Sequence, residues 1–398
     1  MLLSYRAKNF GSFKDEIEFS MKTGRYISRF EDNIIRVNSK LKVSRFTVIA
    51  GENAGGKTSF IRSIDFLKFC ILESKGMRIL EQLAHRYNVE NNQSFEISIL
   101  ADKKIYTYYL EIDKNFIVKE NLKIRNEDQG LDKDVLVFET TRNSIDSKLK
   151  VSMDIKINQK FIIPELETII KSNDSLTNGS TVNYLHKLKV SAIKPFIEWV
   201  EEKLIVEIPD DANLNVYKSM ENNKNDLEIM HLDTFLEIIQ LIDSSIVEII
   251  VDKLEPYQES VLVRKDIDDN KFNIKLKYES SGTKEFFAWA VQLWKVIYTD
   301  SVLFADEIDK VLNPILSSKI ISYIKGSDHK GQFIFSTHNA MHLNTKDYMK
   351  EQIYFITKDG DSLSSEIYSL ADFKDYRYEK SNVYELYFKG LLGGVPNS

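Results

Sequence analysis

The stretch GENAGGKTSF, Gly51 to Phe60, decides the fold of this chain. It fits the pattern G-x-x-x-x-G-K-[ST], with Gly51, Gly56, Lys57 and Thr58 in the fixed positions. Glycines in such a loop let backbone N–H groups turn toward an anion, and a helix that starts there adds positive potential. The pattern therefore predicts a loop that binds the phosphates of a nucleotide.

The residues on either side of the loop have the pattern that this chemistry needs. The preceding run FTVIA, residues 46–50, is short and apolar, which is typical of a buried strand. After the loop, Phe60, Ile64, Leu67 and Ile71 recur at the spacing of one helix face. A strand, a loop and a helix in this order favour a phosphate-binding loop over a glycine-rich turn with an exposed lysine.

The polar groups of the loop have distinct expected roles. Lys57 should reach the β- and γ-phosphates, and the Thr58 hydroxyl should ligate Mg²⁺. The other predicted nucleotide-binding residues of the loop are Gly51, Asn53, Gly55, Gly56 and Ser59.

Composition limits the class of protein. A chain of 398 residues, 43% apolar and 29% charged, is typical of a globular protein with one large or two modest domains. The single cysteine, Cys70, excludes an internal disulfide framework and lies in the apolar run FLKFCIL, which predicts a buried thiol. The N-terminus lacks the apolar core of a signal peptide, and no run of 18 apolar residues occurs, so we expect a cytoplasmic protein without membrane contact.

The charge distribution makes nucleic acid a weaker expectation. The net charge is −6 and the pI about 5.7, so there is no global basic field of the kind that drives non-specific nucleic-acid binding. Two local basic stretches occur, KLKVSMDIKINQK at 148–160 and HKLKVSAIK at 186–194. Such stretches are more often solvated faces than binding sites, so a nucleic-acid partner stays an open alternative.

The order of the segments predicts three parts. SFEISIL, KIYTYYLEI and FIVKENLKI, between residues 94 and 124, are rich in β-branched and aromatic residues and predict an antiparallel sheet beside the nucleotide site. Two Asn-rich polar segments further on flank helix-like sequence with a break at Pro195. We therefore expect an N-terminal part at 1–164, an inserted helical lobe at 165–250 and a C-terminal part at 251–398.

The C-terminal part carries the acidic groups that a phosphate loop requires. SVLFADEID, residues 301–309, is a short apolar strand that ends in Asp306, suited to hold Mg²⁺, and Glu307, placed to polarise the attacking water. A predicted helix, NPILSSKIISYIKG, follows with Asn313 as N-cap, and leads to the predicted strand QFIFSTHN. His338, at the end of that strand, has the placement of a γ-phosphate sensor.

A second polar segment precedes a helix in KYESSGTKEFFAWAVQLW, residues 277–294. Ser281, Gly282 and Thr283 lie where small hydroxyl residues and glycine at a helix N-terminus make an anion site. The segment taken alone equally fits a simple helix cap.

Taken in chain order, these motifs resemble the ATPase heads of the ABC superfamily, in its RecF- and SMC-like branch. The resemblance implies an α/β P-loop NTPase fold, an ABC-ATPase head with an antiparallel β subdomain and an inserted helical lobe. It also implies ATP and Mg²⁺ as ligands and hydrolysis of ATP to ADP and phosphate. It assigns the Walker A, signature, Walker B, D-loop and switch positions to Gly51–Thr58, Ser281–Thr283, Val302–Glu307, Asp309 and His338.

Two further points depend on this resemblance. The signature of one protomer should cap the nucleotide bound to another, which implies a homodimer or higher oligomer with composite ATP sites. Gln93 is the candidate for the Q-loop glutamine, a metal ligand in that family. The loop departs from the commoner NGAGKT in having Ala54 in the place of a glycine.

The details SSGTKEFF, DEID, VLNP and LYFKGLLGGVP are similar to the compact ATPases of bacterial antiviral and abortive-infection systems. These proteins control a separately encoded effector, often a nuclease, so we expect a regulatory ATPase. A RecF-like DNA-maintenance ATPase is the alternative. A self-contained nuclease with a Toprim domain is disfavoured, because the segment after His338 is shorter than the roughly 100 residues of such a domain, and Asp359 and Asp361 have the pattern of a hairpin turn.

Overall fold

The computed structural model describes residues 1–24, 30–72, 83–113, 116–144, 151–172, 179–208, 224–310, 313–326, 328–343, 348–374 and 383–392. Parts of the quoted segments VLNP and LYFKGLLGGVP, and Lys148 and Lys150 of the first basic stretch, lie outside these residues. Within the described ranges, no helix combines the length and the apolar character needed to cross a bilayer.

One large sheet is antiparallel throughout and has the strand order β10-β9-β8-β7-β6-β1-β2. Its strands are β1 (Leu2–Lys8), β2 (Ile17–Ser20), β6 (Gln93–Ala101), β7 (Lys104–Ile112), β8 (Ile117–Asn126), β9 (Val135–Ser144) and β10 (Val151–Ile157). The predicted antiparallel sheet is confirmed, and β9 and β10 extend it beyond the prediction. In β10, buried Ile155 alternates with exposed Asp154 and Lys156, so the lysine of this basic stretch lies on a solvated face.

The second large sheet is the core of the molecule and has the order β11-β15-β16-β5-β17-β18. Its strands are β5 (Phe46–Gly51), β11 (Leu204–Glu207), β15 (Val302–Ala305), β16 (Gln332–Thr337), β17 (Ile353–Lys358) and β18 (Ser365–Ser369). Neighbours from β11 to β17 are parallel, and only β18 runs antiparallel. The carboxyl ends of the parallel strands therefore meet at one edge, where α/β proteins bind ligands.

Two small sheets complete the strands, one of β3 (Ile34–Arg36) and β4 (Lys42–Ser44), the other of β12 (Ile246–Ile250), β13 (Val261–Lys265) and β14 (Lys271–Lys275). The helices are α1 (Lys57–Leu72), α2 (Glu165–Lys171), α3 (Thr181–Lys187), α4 (Lys194–Glu198), α5 (Lys224–Met230), α6 (Asp233–Ile239), α7 (Ser281–Thr299), α8 (Pro314–Gly326) and α9 (Val383–Phe388).

The core sheet is covered on both faces, because successive side chains of a strand point to opposite sides. Phe304 of β15 packs with α1 and the antiparallel sheet, whereas Leu303 packs into the core under α7 and α8. The predicted apolar face of α1 is buried throughout, and the Cys70 thiol lies among it. Burial raises the pKa of this thiol, which therefore stays protonated.

The segment 165–250 is mostly helical in its described part, but it also supplies β11 to one edge of the core sheet. The boundaries of the three parts stay a prediction. A break at Pro195 is present, since α4 begins beside it. Further along, α5 ends at Met230 and α6 begins at Asp233, and Leu232 between them is extended and 43% exposed.

The antiparallel sheet encloses a fully buried ion pair, Glu120 on β8 and Arg142 on β9, at 3.7 Å. The Glu120 carboxylate accepts hydrogen bonds from the backbone N–H groups of Thr181 at 2.7 Å and Val182 at 2.8 Å, which start α3. Tyr108 donates to the same carboxylate at 3.0 Å. The pair thus fixes α3 to the sheet by satisfying N–H groups that a helix start leaves without intrahelical partners.

Candidate functional site

The phosphate loop leaves β5 at Gly51 and enters α1 at Lys57, as the motif predicts. Two of its glycines lie where a side chain would clash with neighbouring atoms. A Cβ atom on Gly51 would lie 2.3 Å from the carbonyl oxygen of Ile356, and one on Gly56 would lie 2.5 Å from the hydroxyl of Ser12. Gly56 also has a φ of +118°, a conformation that side-chain-bearing residues rarely adopt.

Ala54 is the departure from the commoner loop sequence, and its backbone is left-handed with a φ of 61°. For a residue with a Cβ atom this conformation costs on the order of 1–3 kcal/mol. The loop therefore holds Ala54 in a left-handed conformation under local strain.

Lys57 connects three elements of the site. Its ammonium group donates to the carbonyl oxygens of Gly51 and Glu52, each at 2.8 Å, and contacts His338 Nδ1 at 3.0 Å. Burial lowers the pKa of Lys57 to about 8, although the carboxylates of Asp306 and neighbouring acidic residues oppose the shift. The lysine is thus a buried cation held by dipoles, which an anionic ligand would stabilise further.

Thr58 and Asp306 come together at the carboxyl ends of β5 and β15. The Thr58 hydroxyl donates to Asp306 Oδ2 at 2.6 Å, and Ser336 on β16 donates to Asp306 Oδ1. Hydroxyl and carboxylate oxygens are the ligands that Mg²⁺ prefers, completed by phosphate oxygens and water. Among the described residues no cluster of three or more His, Cys, Asp or Glu side chains forms a metal cage.

Glu307 and His338 face each other beside this pair. His338 Nε2 lies 3.3 Å from Glu307 Oε1. Because the Lys57 ammonium can only donate, His338 Nδ1 accepts its hydrogen bond and Nε2 carries the ring proton toward Glu307. Glu307 has a φ of 48° and its N–H donates to the Ser336 hydroxyl at 2.8 Å, so local strain and a specific hydrogen bond together set its direction.

Asp309 holds the segment that carries His338, the predicted γ-phosphate sensor. Its carboxylate accepts from the His338 N–H at 2.7 Å and from the Thr337 hydroxyl at 2.8 Å, and it pairs with His342 Nδ1 at 3.0 Å. Burial opposes ionisation, but these hydrogen bonds outweigh it, so the pKa of Asp309 lies below its usual range. His342 Nε2 lies 3.1 Å from the Ser317 hydroxyl. Since Ser317 is only 4% exposed, this Asp-His-Ser order is structural.

The signature segment lies apart from the phosphate loop. Ser280 is the N-cap of α7, accepting from the Thr283 N–H at 3.2 Å, and α7 begins at Ser281. Ser281 and Gly282 are exposed, and a side chain at Gly282 would meet no described atom within 4 Å. In the described ranges no hydrogen bond or ion pair joins residues 281–283 to residues 51–59. Steric crowding inside the protomer therefore does not account for this glycine.

Gln93, the expected metal ligand, begins β6 and is buried. Its side-chain N–H donates to the carbonyl oxygen of Asn9 at 3.0 Å, so its role at the metal stays a prediction. Sequence analysis did not identify Ser12, Ser336 and Ser365, which all contact the site. Ser365 donates to the Gly55 carbonyl oxygen at 2.6 Å. Ser336 lies on β16 and Ser365 on β18, and a single serine forms no local motif that links it to a loop far away in sequence.

These elements define a P-loop NTPase with the architecture of an ABC-type ATPase head, as predicted. The chain belongs to the family described as "AAA domain, putative AbiEii toxin, Type IV TA system", whose model matches residues 46–343. No curated protein gives a significant match.

Solved structures of SMC heads are similar in fold. An SmcHead bound to the C-winged helix domain of ScpA has a TM-score of 0.50 and 11% identity, over 92% of this chain and 97% of that chain. The SMC head domain from Thermotoga maritima has a TM-score of 0.43 and 13% identity, over 92% and 98%. At this identity, the first of these structures bears on the fold alone.

ATP affinity is expected to fall as the pH rises from about 7 to about 9.5. The Lys57 pKa near 8 means that the empty site loses its cation above that pH, whereas bound phosphates would keep the lysine protonated. Binding above pH 8 must therefore take up a proton, and the association constant should drop by up to about tenfold per pH unit.

Calorimetry in two buffers with different ionisation enthalpies measures this proton uptake directly. Lys57→Ala, which lacks both the titrating group and the loop cation, should show neither ATP binding nor proton uptake. Wild-type affinity that is constant across this range would contradict a lowered Lys57 pKa in the empty site.

Proposed function

We propose that this protein is an ATP-hydrolysing switch that assembles through composite nucleotide sites and controls a separately encoded effector of a bacterial antiviral defence system. One observation carries the proposal. Within the protomer, the phosphate loop, Asp306, Glu307 and His338 form one connected half-site, while the signature residues Ser281 and Gly282 are exposed on a separate surface. Two copies are needed to bring the two halves together.

The residues of the connected half-site divide the work of hydrolysis. Lys57 would exchange its carbonyl partners for the β- and γ-phosphates, and Thr58 and Asp306 would hold Mg²⁺, which would neutralise phosphate charge. Entry of the γ-phosphate between Lys57 and His338 separates these two residues. His338 then donates to the γ-phosphate, and Glu307 takes a proton from the attacking water.

The surface around the signature fits a second copy. A depression beside it is lined by Ser280, Gly282 and Thr283 together with residues of α8 and of the α6–β12 loop. Ile315, at its rim, is 74% exposed, and Met341, close to the switch histidine in sequence, is 64% exposed. Closure of two copies would cover them.

The defence role is supported by the family description, which names a putative AbiEii toxin and a type IV toxin–antitoxin system. A toxin–antitoxin system has two components, which is in keeping with a separately encoded partner. The open reading frames beside the gene test this part. A neighbouring nuclease or toxin gene would support it. Replication or repair neighbours, together with DNA binding by the purified protein, would favour the RecF-like alternative.

A mixture of two inactive variants is expected to regain ATPase activity. Ser281→Arg should fold and bind ATP, because its own phosphate loop is intact, but it should not close over the partner's nucleotide. Lys57→Ala should lose ATP binding, because the phosphates lose their loop cation. A dimer built from one of each has one ruined site and one intact site, so phosphate release should exceed that of either variant alone.

Wild-type protein mixed with each variant is the control for subunit exchange. If exchange occurs and the mixture of variants stays inactive, either the sites are not shared between subunits or both sites of a dimer must be intact for hydrolysis. Normal turnover by Ser281→Arg alone would show that residues 281–283 only cap a helix, and would contradict the composite site.

A further inference from the structure

Arg264 lies on β13, the middle strand of the three-stranded sheet β12-β13-β14. It makes a set of ionic contacts that the nucleotide site does not explain. Its two terminal nitrogens pair with the two carboxylate oxygens of Glu279, Nη2 to Oε2 at 3.1 Å, and its Nε donates to Asp243 Oδ2 at 2.9 Å. The side chains of Arg264 and Glu279 are only 11% and 8% exposed. A forked, nearly buried contact of this kind is stronger and more directional than a surface ion pair.

Both carboxylates lie next to the walls of the signature depression. Glu279 immediately precedes Ser280, the N-cap of α7. Asp243 follows Leu241 and Ile242, which line the same depression. Arg264 therefore connects the two chain segments that border the signature.

Asp243 is itself held in place, so its contact with Arg264 can fix the position of the Arg264 side chain. It accepts from the backbone N–H of Ser245 at 3.0 Å and from the Ser245 hydroxyl at 2.6 Å. Burial opposes ionisation of the Asp243 carboxyl group. The hydrogen bonds from Ser245 and Arg264 outweigh this effect and keep the pKa of Asp243 below its usual range. The Asp243 carboxylate is thus an anion in a fixed position. The Arg264 guanidinium binds it and also binds Glu279, next to the start of α7.

We propose that Arg264 is a positioning residue for the signature: it sets the start of α7 against the α6–β12 loop so that the signature can receive the nucleotide of a second copy. This inference depends on the composite site proposed above. Arg264 also neutralises charge, because without it Glu279 would present an uncompensated carboxylate beside incoming phosphates.

The side-chain chemistry predicts a graded series of variants. Lysine keeps the charge but lacks the planar fork, so Arg264→Lys should retain part of the function. Arg264→Met removes both. Adding Glu279→Gln to Arg264→Met removes the uncompensated charge and should restore part of the assembly lost in Arg264→Met alone.

The experiment measures ATP-dependent assembly by light scattering in a Glu307→Gln background, which holds the ATP-bound state. Arg264→Met should bind ATP with unchanged affinity, because its phosphate loop is intact, and should weaken assembly by about tenfold or more. Arg264→Lys should fall between it and the parent. In the background with Glu307 intact, Arg264→Met mixed with Lys57→Ala should regain turnover, as Ser281→Arg does.

Arg125 offers a matched control, since it is 6% exposed and pairs with Asp134 in the antiparallel sheet. Arg125→Met should cost stability, measured by thermal melting, but should not weaken assembly beyond that loss. It should keep its own turnover, so mixing it with Lys57→Ala should bring no gain. This comparison separates a positioning role from general destabilisation.

The outcomes distinguish the two proposals. If Ser281→Arg assembles normally with ATP, the composite site itself is wrong. If Ser281→Arg blocks assembly while Arg264→Met assembles like the parent, only the positioning role of Arg264 is overturned. Failure of Arg264→Met to regain turnover with Lys57→Ala, in a mixture where Ser281→Arg does so, has the same meaning. If Arg264→Met does not fold, Arg264→Lys must show the intermediate assembly for the inference to stand.

Discussion

Glu307→Gln is expected to bind ATP and to hydrolyse it about 10²–10⁴-fold more slowly, the range for loss of a positioned general base. The amide keeps the size of the side chain but takes up no proton from water. The interactions of Lys57 with Gly51, Glu52 and His338 do not involve the Glu307 carboxylate, so nucleotide affinity should survive. Steady-state phosphate release gives the rate, and calorimetry gives the affinity.

Glu228→Gln, an exposed carboxylate on α5, is the matched control and should leave turnover unchanged. Equal rates for Glu307→Gln and the parent would place the base elsewhere, with His338 as the next candidate because it lies 3.3 Å away. Loss of ATP binding in Glu307→Gln would instead show that the carboxylate supports the loop.

Glu120→Ala is expected to lower the free energy of unfolding by about 3–5 kcal/mol, the range for removing one partner of a buried ion pair. The substitution leaves the Arg142 guanidinium buried without its counter-ion. It also leaves the N–H groups of Thr181 and Val182 without their acceptor. Denaturant unfolding followed by circular dichroism measures the loss.

Glu139→Ala is the comparison, because Glu139 is on the adjacent strand β9 and pairs with Lys119 at 3.2 Å near solvent. Such a pair contributes roughly 0–1 kcal/mol, so its removal should change stability little. The double variant Glu120→Ala with Arg142→Met should lose less than the sum of the single changes. Equal losses for Glu120→Ala and Glu139→Ala would contradict the buried pair as an anchor of α3.

Several elements were predictable because their signals are local. The helix α8 has its N-cap Asn313, whose side chain accepts from the Leu316 N–H at 3.0 Å, and its terminal Gly326 within one short segment. The Asp359 side chain accepts hydrogen bonds from the N–H groups of Asp361 and Ser362, in a turn between the antiparallel strands β17 and β18. The interpretation of this segment as a hairpin turn is confirmed. Capping, turn chemistry and hydrophobic period act over a few residues and are therefore visible in sequence.

The sequence by itself determined the class of fold, because the phosphate loop, the acidic strand and the strand before His338 each have a specific local pattern. Only the tertiary structure decided which groups meet. Lys57 and His338 are 281 residues apart, and Thr58 and Asp306 are 248 apart. Their contact depends on the strand order that brings β5, β16 and β15 side by side.

The same reason explains what sequence analysis missed. Ser336, His342 and Arg264 are ordinary residue types in ordinary local patterns, and their roles arise from partners on other elements. A sequence pattern reports the period and burial of one element. The positions of hydrogen-bond donors and acceptors in neighbouring elements are set by packing, so only the folded chain shows that Arg264 lies between the two segments that border the signature.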